Sequence, residues 1–249
     1  MKKSIVCFIL VVLITSCENP SDCIESSGAT VVKEINVVAF SKLKVYRGIE
    51  VIITEGADYK VEIEAGENFI NDVEVTQNGD QLVFKDNASC NWVREYGQTK
   101  IYVTTPTLTE IYSKTDRDIR SNGVLMFPSL SVLSLDKDAD GENGAGTGDF
   151  YLMVNNNQLV IQNNNVSRFY VSGATDEASF NLYFGDGRIE AQDLIAKNIS
   201  VYHRGSNDMI VRPTEKITGK LLSTGNVILK NVPPIQELEE LYQGSVIYP

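Results

Sequence analysis

The residues best suited to chemistry in this chain are carboxylates. Asp136-Lys137-Asp138-Ala139-Asp140-Gly141 puts carboxylates at positions one, three and five and glycine at six. That is how a calcium loop opens, because a hard cation takes oxygen ligands and the chain must then turn sharply. The full motif wants Glu at position twelve, where Thr147 stands. Glu142 and Asp149 could replace it only with different geometry. A solvated acidic loop is therefore favoured over calcium held by Asp136, Asp138 and Asp140. A second group, Asp186, Glu190 and Asp208 with Arg188 and Arg204, would suit attack on a polysaccharide if it converged on one face. An ion pair between Arg188 and Asp208 explains the same residues more simply. His203 is the sole histidine. No serine nucleophile motif or nearby cysteine accompanies it, so neither a triad nor a metal site is expected. Its neighbours Tyr202 and Arg204 suggest a surface position. Phosphate loops, dinucleotide fingerprints, nucleophile elbows and zinc-helix motifs do not occur. The chain is read as non-enzymatic and without a cofactor.

The four cysteines have different expected fates. Lys2 and Lys3 precede an apolar run from Ile5 to Ile14, which is too short to span a bilayer. The run ends in Ile14-Thr15-Ser16-Cys17, which resembles the lipobox cut by lipoprotein signal peptidase. Residues 1–16 are then a signal peptide that carries Cys7 away, and Cys17 takes the lipid. Acyl chains anchor a soluble domain by about 0.8 kcal/mol per buried methylene. Residues 17–30, with Pro20 and several serines, read as a tether. Cys23 and Cys90 remain in an oxidising compartment and are expected to form a disulfide. Two cysteines and one histidine cannot furnish a zinc site. The location this implies is the outer membrane of a Gram-negative bacterium, on its surface or periplasmic side.

Charge narrows the partners. The formal net charge is −11, and loss of Lys2 and Lys3 with the leader takes it to −13. Phosphate backbones and anionic headgroups repel such a chain, so nucleic acid is excluded and membrane contact falls to the N-terminal lipid alone. Tyrosines lie along the expected strands. Tyr112, Tyr151, Tyr170 and Tyr202 stand beside residues expected to point inward, so stacking would align some of them on an outer face. Such a ladder stabilises the stack and could also meet a glycan or a protein.

The elements that would position these residues are strands. From Val31 to about Thr105 the pattern has period two, as in Tyr59-Lys60-Val61-Glu62-Ile63-Glu64 and Lys100-Ile101-Tyr102-Val103-Thr104. Asn78-Gly79 between two apolar runs signals a hairpin. Ile49–Thr54 is more apolar and is expected to be central. After Pro106 a repeat begins. Gly146-Thr147-Gly148-Asp149-Phe150, Gly185-Asp186-Gly187-Arg188-Ile189, Gly205-Ser206-Asn207-Asp208-Met209 and Ser223-Thr224-Gly225-Asn226-Val227 share one pattern, and Asn165–Phe169 is a weaker copy. Their apolar ends at 150, 169, 189, 209 and 227 are spaced by 19, 20, 20 and 18 residues. A second apolar triplet lies between each pair of ends, so each repeat carries two short strands and two corners. Gly146, Gly148, Gly185, Gly187, Gly205, Asn207 and Gly225 are the expected corner residues, able to take a positive φ. A period near twenty with strand and corner alternating reads as a β-solenoid. Ile119 ends an earlier degenerate copy, and Asp136–Ala145 is an insertion. Ile235–Tyr242 is expected to form one or two helical turns, and Gly244–Tyr248 a last strand.

Lipobox, strands and degenerate Ser-Gly-Ser-Gly-Asn/Asp-Ile copies together resemble the auto-transporter adhesin head GIN domain family, over roughly Val31–Pro249. The best matches are Gly146–Phe150, Ser223–Val227 and Gly205–Met209. Val103-Thr104-Thr105-Pro106-Thr107-Leu108 followed by Ile111 resembles the family's junction into its first coil. The resemblance implies a lipoprotein of the Bacteroidetes envelope with a β-helix-like domain and brings no catalytic residues. The architecture expected is all-β: an N-terminal strand module (31–106) running into a right-handed parallel β-helix-like solenoid (107–232), closed by a cap (233–249). The function expected is adhesion or binding of a glycan or protein. The alternatives are a structural or signalling partner in the periplasm and, less favoured, a polysaccharide-active enzyme.

Overall fold

The computed structural model describes residues 26–88, 99–136, 141 and 146–249. The described chain is all-β, with seventeen strands and no helix. The first seven are β1 (Thr30–Ile35), β2 (Lys42–Val45), β3 (Ile49–Glu55), β4 (Lys60–Gly66), β5 (Val73–Asn78), β6 (Gln81–Asp86) and β7 (Thr99–Thr105). Next come β8 (Glu110–Ser113), β9 (Ile119–Leu125) and β10 (Ser129–Ser134). Four long strands follow: β11 (Phe150–Asn163), β12 (Arg168–Leu182), β13 (Arg188–His203) and β14 (Met209–Leu221). The chain ends with β15 (Val227–Leu229), β16 (Ile235–Glu240) and β17 (Val246–Ile247).

Each long strand does two jobs. In β11 the buried residues are Phe150, Leu152, Val154 and Asn156, then Leu159, Ile161 and Asn163. The step of three between 156 and 159 breaks the period of two, so the strand bends there and both halves keep an apolar side inward. The first halves join one parallel ladder, β7–β3–β9–β11–β12–β13–β14–β15–β17. The second halves join another, β6–β2–β8–β10–β11–β12–β13–β14–β16. Among the described residues only β1–β4, β4–β7 and β5–β6 are antiparallel. The β5–β6 hairpin turns at Gly79, with φ +63°, where the Asn78-Gly79 signal placed it.

The repeat ends meet in space. Ile119, Phe150, Phe169, Ile189, Met209, Val227 and Val246 occupy successive register positions in the first ladder. Phe150 and Phe169 stack at 4.6 Å and 8°. Full burial of such a side chain is worth about 1.5–3 kcal/mol. The ladders also cross Pro106 unbroken: Val51 pairs with Ile119 and Leu43 with Ile111, and one apolar core runs from Phe40 to Leu229. Ile49–Thr54 is central, with β7 on one side and β9 on the other.

Three expectations fail. Ile235–Glu240 is a strand, because its ladder with Lys216–Leu221 satisfies a backbone that a short helix would leave open, and Lys216 and Lys220 pair with Glu237 and Glu239. His203 is buried, since period two from the inward Val201 carries it to the core side while Tyr202 and Arg204 face out. The corner glycines do not all serve a positive φ. Gly185 has φ +90°, but at Gly148 the constraint is space: a Cβ there would lie 1.8 Å from the Arg117 carbonyl oxygen. Stacked corners approach too closely for a side chain at that position.

Candidate functional site

The site is built by irregularities in β9 and β13. Arg120 pairs with Tyr151, but the next pair is Met153 with Val124, so β9 carries two extra residues there. Tyr170 pairs with Glu190, but Ser172 pairs with Asp193, so β13 carries one. Between these bulges β11 and β12 stay in register. Bulges bend and twist their strands. Here they raise two walls over a flat pair, enclosing a cleft of about 340 Å³. Ser121 and Gly123 form one end and Glu190, Gln192 and Asp193 the other, with Tyr151, Met153, Tyr170 and Ser172 between them. Gly123 at φ +96° permits the first bulge, and the Ser121 hydroxyl accepts the Met153 N–H at 2.9 Å.

The tyrosines are ordered by their neighbours. Tyr151 and Tyr170 stack at 4.8 Å and 10°. The Arg120 guanidinium lies 3.9 Å from the Tyr151 ring centre, and it also pairs with Asp118 and Glu50. Arg120 and Tyr170 are thus the two register neighbours of Tyr151, one on each side. Burial, with the Asp118 and Asp149 carboxylates, pushes the Tyr151 phenol up, so it stays protonated. At the β13 wall the Gln192 Oε1 is buried and has no hydrogen-bond partner among the described residues.

The carboxylates expected to converge are spent on structure. Arg188 donates from Nε to Glu190 and from Nη1 to Asn207 Oδ1 at 2.9 Å and Asp208 Oδ2 at 3.3 Å. Burial opposes its charge, but Glu190 and Asp208 outweigh that and hold the guanidinium above its ordinary value. Asp186 accepts the Ser206 hydroxyl at 2.8 Å. Arg204 is exposed and does not join this group. His203 accepts the Gly205 N–H on Nδ1 at 3.3 Å, and its buried Nε2 faces the close Gly225 corner. Burial pulls its pKa below 6.5, so it is neutral at physiological pH.

Other candidates fall elsewhere. Gly146 and Gly148 lie between β10 and β11, Gly185 and Gly187 between β12 and β13, Gly205 and Asn207 between β13 and β14, and Gly225 between β14 and β15. Asp136 donates its N–H to Asn164 Oδ1 at 2.9 Å, while Asp138 and Asp140 lie outside the described residues. Among the described residues no group of three metal-ligating side chains forms, and no helix is long and apolar enough to cross a membrane. Cys17, Cys23 and Cys90 also lie outside them. The sequence singled out Tyr151 and Tyr170. It did not single out Ser121, Gln192 or Asp193, whose only signal is the extra residue between inward positions.

The parallel stack, its repeat corners and the close-packed glycines define a class. The chain belongs to the family described as "Putative auto-transporter adhesin, head GIN domain", whose model matches residues 39–233. Solved structures share the fold. One, a "putative adhesin" from Bacteroides fragilis, is 21% identical with a TM-score of 0.77, covering 89% of this chain and 97% of that one. Another "putative adhesin", from Parabacteroides merdae, is 16% identical with a TM-score of 0.62 over 89% and 97%. A "putative lipid binding protein" from Parabacteroides distasonis is 15% identical with a TM-score of 0.60 over 88% and 97%. No curated protein sequence matches the chain.

Proposed function

We propose that the chain is a non-enzymatic binding module of the bacterial cell envelope that acts in adhesion. In this reading Cys17 carries the lipid, residues 18–30 are the tether, Cys23 is bonded to Cys90, and the parallel stack is a right-handed β-solenoid standing off the outer membrane. Family membership supports the adhesion reading. The observation that carries it is the concave, tyrosine-lined cleft on an outward sheet face, beside ion pairs that already consume Glu190 and Asp208. A solenoid offers long continuous faces to extended partners.

The test is protease shaving of intact cells that make the full chain, with lysed cells as control, beside an adherence assay on mucin-coated and matrix-coated surfaces. Loss of the protein from intact cells, with adherence reduced in cells lacking it, is the expected result. Protection in intact cells and cleavage only in lysates would overturn adhesion in favour of a periplasmic partner. A Cys17→Ala chain should leave the membrane fraction.

A further inference from the structure

We propose that the cleft between the β9 and β13 bulges binds a neutral, hydroxyl-rich saccharide, with one sugar ring seated against the Tyr170 face turned toward β13. This rests on the reading of the chain as a binding module and names its ligand class.

Shape comes first. A regular parallel sheet face offers no recess, and the extra residues in β9 and β13 create one. From β9 to β13 is three strand spacings, about 14 Å. With a volume of about 340 Å³ the recess suits a short oligosaccharide.

The aromatic platform has one face on which no ring or cation is stacked among the described residues. Arg120 and Tyr170 occupy the two sides of Tyr151, so Tyr151 serves to fix its neighbour. Among the described residues no ring or cation covers the other side of Tyr170. Its register neighbour there is Glu190, whose carboxylate is paired with Arg188. The apolar C–H face of a pyranose fits such a π-face, as aromatic side chains combine an apolar body with a polar edge.

The polar groups select for a donor. Asp193, exposed at that end of the cleft, is an acceptor there, and Gln192 lines the same wall. A sugar hydroxyl is a donor of the right size for an exposed carboxylate to accept. Charge excludes the anionic sugars: Asp193 and a net charge of −11 repel uronates and sulfated chains. The pull on a cation is weak, because Glu190 is already neutralised and Arg120 lies at the opposite end.

The experiment is a glycan array probed with the full chain in detergent, carrying neutral glucans, mannans and galactans beside sialylated, sulfated and uronate chains. A basic peptide serves as a further probe. The tightest binder is then titrated against Tyr170→Ala, Tyr170→Phe and the exposed-site variant Asp193→Ala, with the far-UV spectrum checking each fold. Binding of a neutral saccharide that weakens tenfold or more in Tyr170→Ala, severalfold in Asp193→Ala and little in Tyr170→Phe is expected. If Tyr170→Ala does not fold, Asp193→Ala carries the test alone. Undiminished binding by the alanine variants would overturn the site. Selective binding of acidic chains or of the basic peptide would overturn the ligand class. No saccharide binding, in a protein that still confers adherence, would overturn this proposal and leave the adhesion reading standing. Loss of both would overturn both.

Discussion

The Asp149 carboxylate accepts the backbone N–H of Arg168 from the next coil, at 3.0 Å. The same device recurs down the corner: Asp118 Oδ1 accepts the Asp149 N–H, Asp208 Oδ1 the Asn226 N–H, and Asn226 Oδ1 the Ser245 N–H, each at 3.1 Å. The Asp/Asn slot of the repeat is thus a stitch between coils. It satisfies an N–H where the ladder is interrupted and would otherwise leave a polar group unpaired.

That stitch predicts a pH effect. Burial pushes the Asp149 carboxyl above its ordinary 3.8, and the nearby Asp118 adds to this. The folded state then binds more protons than the unfolded state between 3.8 and the raised value. Stability falls as pH rises through that window, and the penalty is fully present at neutral pH. Asp149→Asn keeps the acceptor oxygen without the charge, as Asn226 already does. We expect Asp149→Asn to melt higher than the wild type at pH 7, with the difference shrinking toward pH 4. Thermal denaturation of both proteins across that range checks it; a lower melting point for the variant at pH 7 would refute it.

The corner glycines predict a contrast. A Cβ on residue 148 would sit 1.8 Å from the Arg117 carbonyl oxygen, whereas one on residue 205 would find its nearest neighbour at 3.4 Å. Backbone must move in the first case and little need shift in the second. Gly148→Ala should destabilise by about 2 kcal/mol or more, and Gly205→Ala by about 1 kcal/mol or less. Urea unfolding of the two variants compares them directly, and equal midpoints would show that the corners relax freely.

Period and spacing made most of this fold legible. Positions 150, 169, 189, 209 and 227 could be read as equivalent because each ends one turn of the same pattern, and they are register partners. The stitching role of Asp149 was hidden because a side-chain bond to another coil leaves no local pattern. Ile235–Glu240 misled because alternating glutamates suit a helix as well as an edge strand, and only the ladder to β14 decides. The cleft was half legible. The tyrosines stood out as aromatics at repeat spacing, but one or two extra residues in a strand look like ordinary drift until their partners are seen.

The expected Cys23–Cys90 bond would close a long loop, worth about 4 kcal/mol in the chain-entropy model. Peptide mass spectrometry of the nonreduced mature protein should recover the two cysteines joined, and reduction should lower the melting temperature. Two alkylatable thiols in the nonreduced protein would refute the bond.

His203 supplies a second pH effect of opposite sense. It is buried in register between Leu182 and Leu221, and burial draws its pKa below 6.5. Above 6.5 the ring is neutral folded and unfolded, so it adds no pH dependence. Below 6.5 the unfolded chain takes the proton first, so stability is lost as pH falls through the window down to the folded value. His203→Leu would extend the leucine column on both sides, removing the titration together with an unpaired buried nitrogen, but it also removes the acceptor of the Gly205 N–H. These changes oppose each other at pH 7.5, where the variant should lie within about 1–2 kcal/mol of the wild type. Between pH 6.5 and 5 the wild type should lose stability relative to the variant. Denaturation at pH 7.5 and pH 5 separates the two contributions, because only the titrating ring changes the gap between the proteins. A gap that stays constant would mean that the His203 ring takes up a proton in place, with the Asn207 and Asn226 carbonyls at the corner accepting from it.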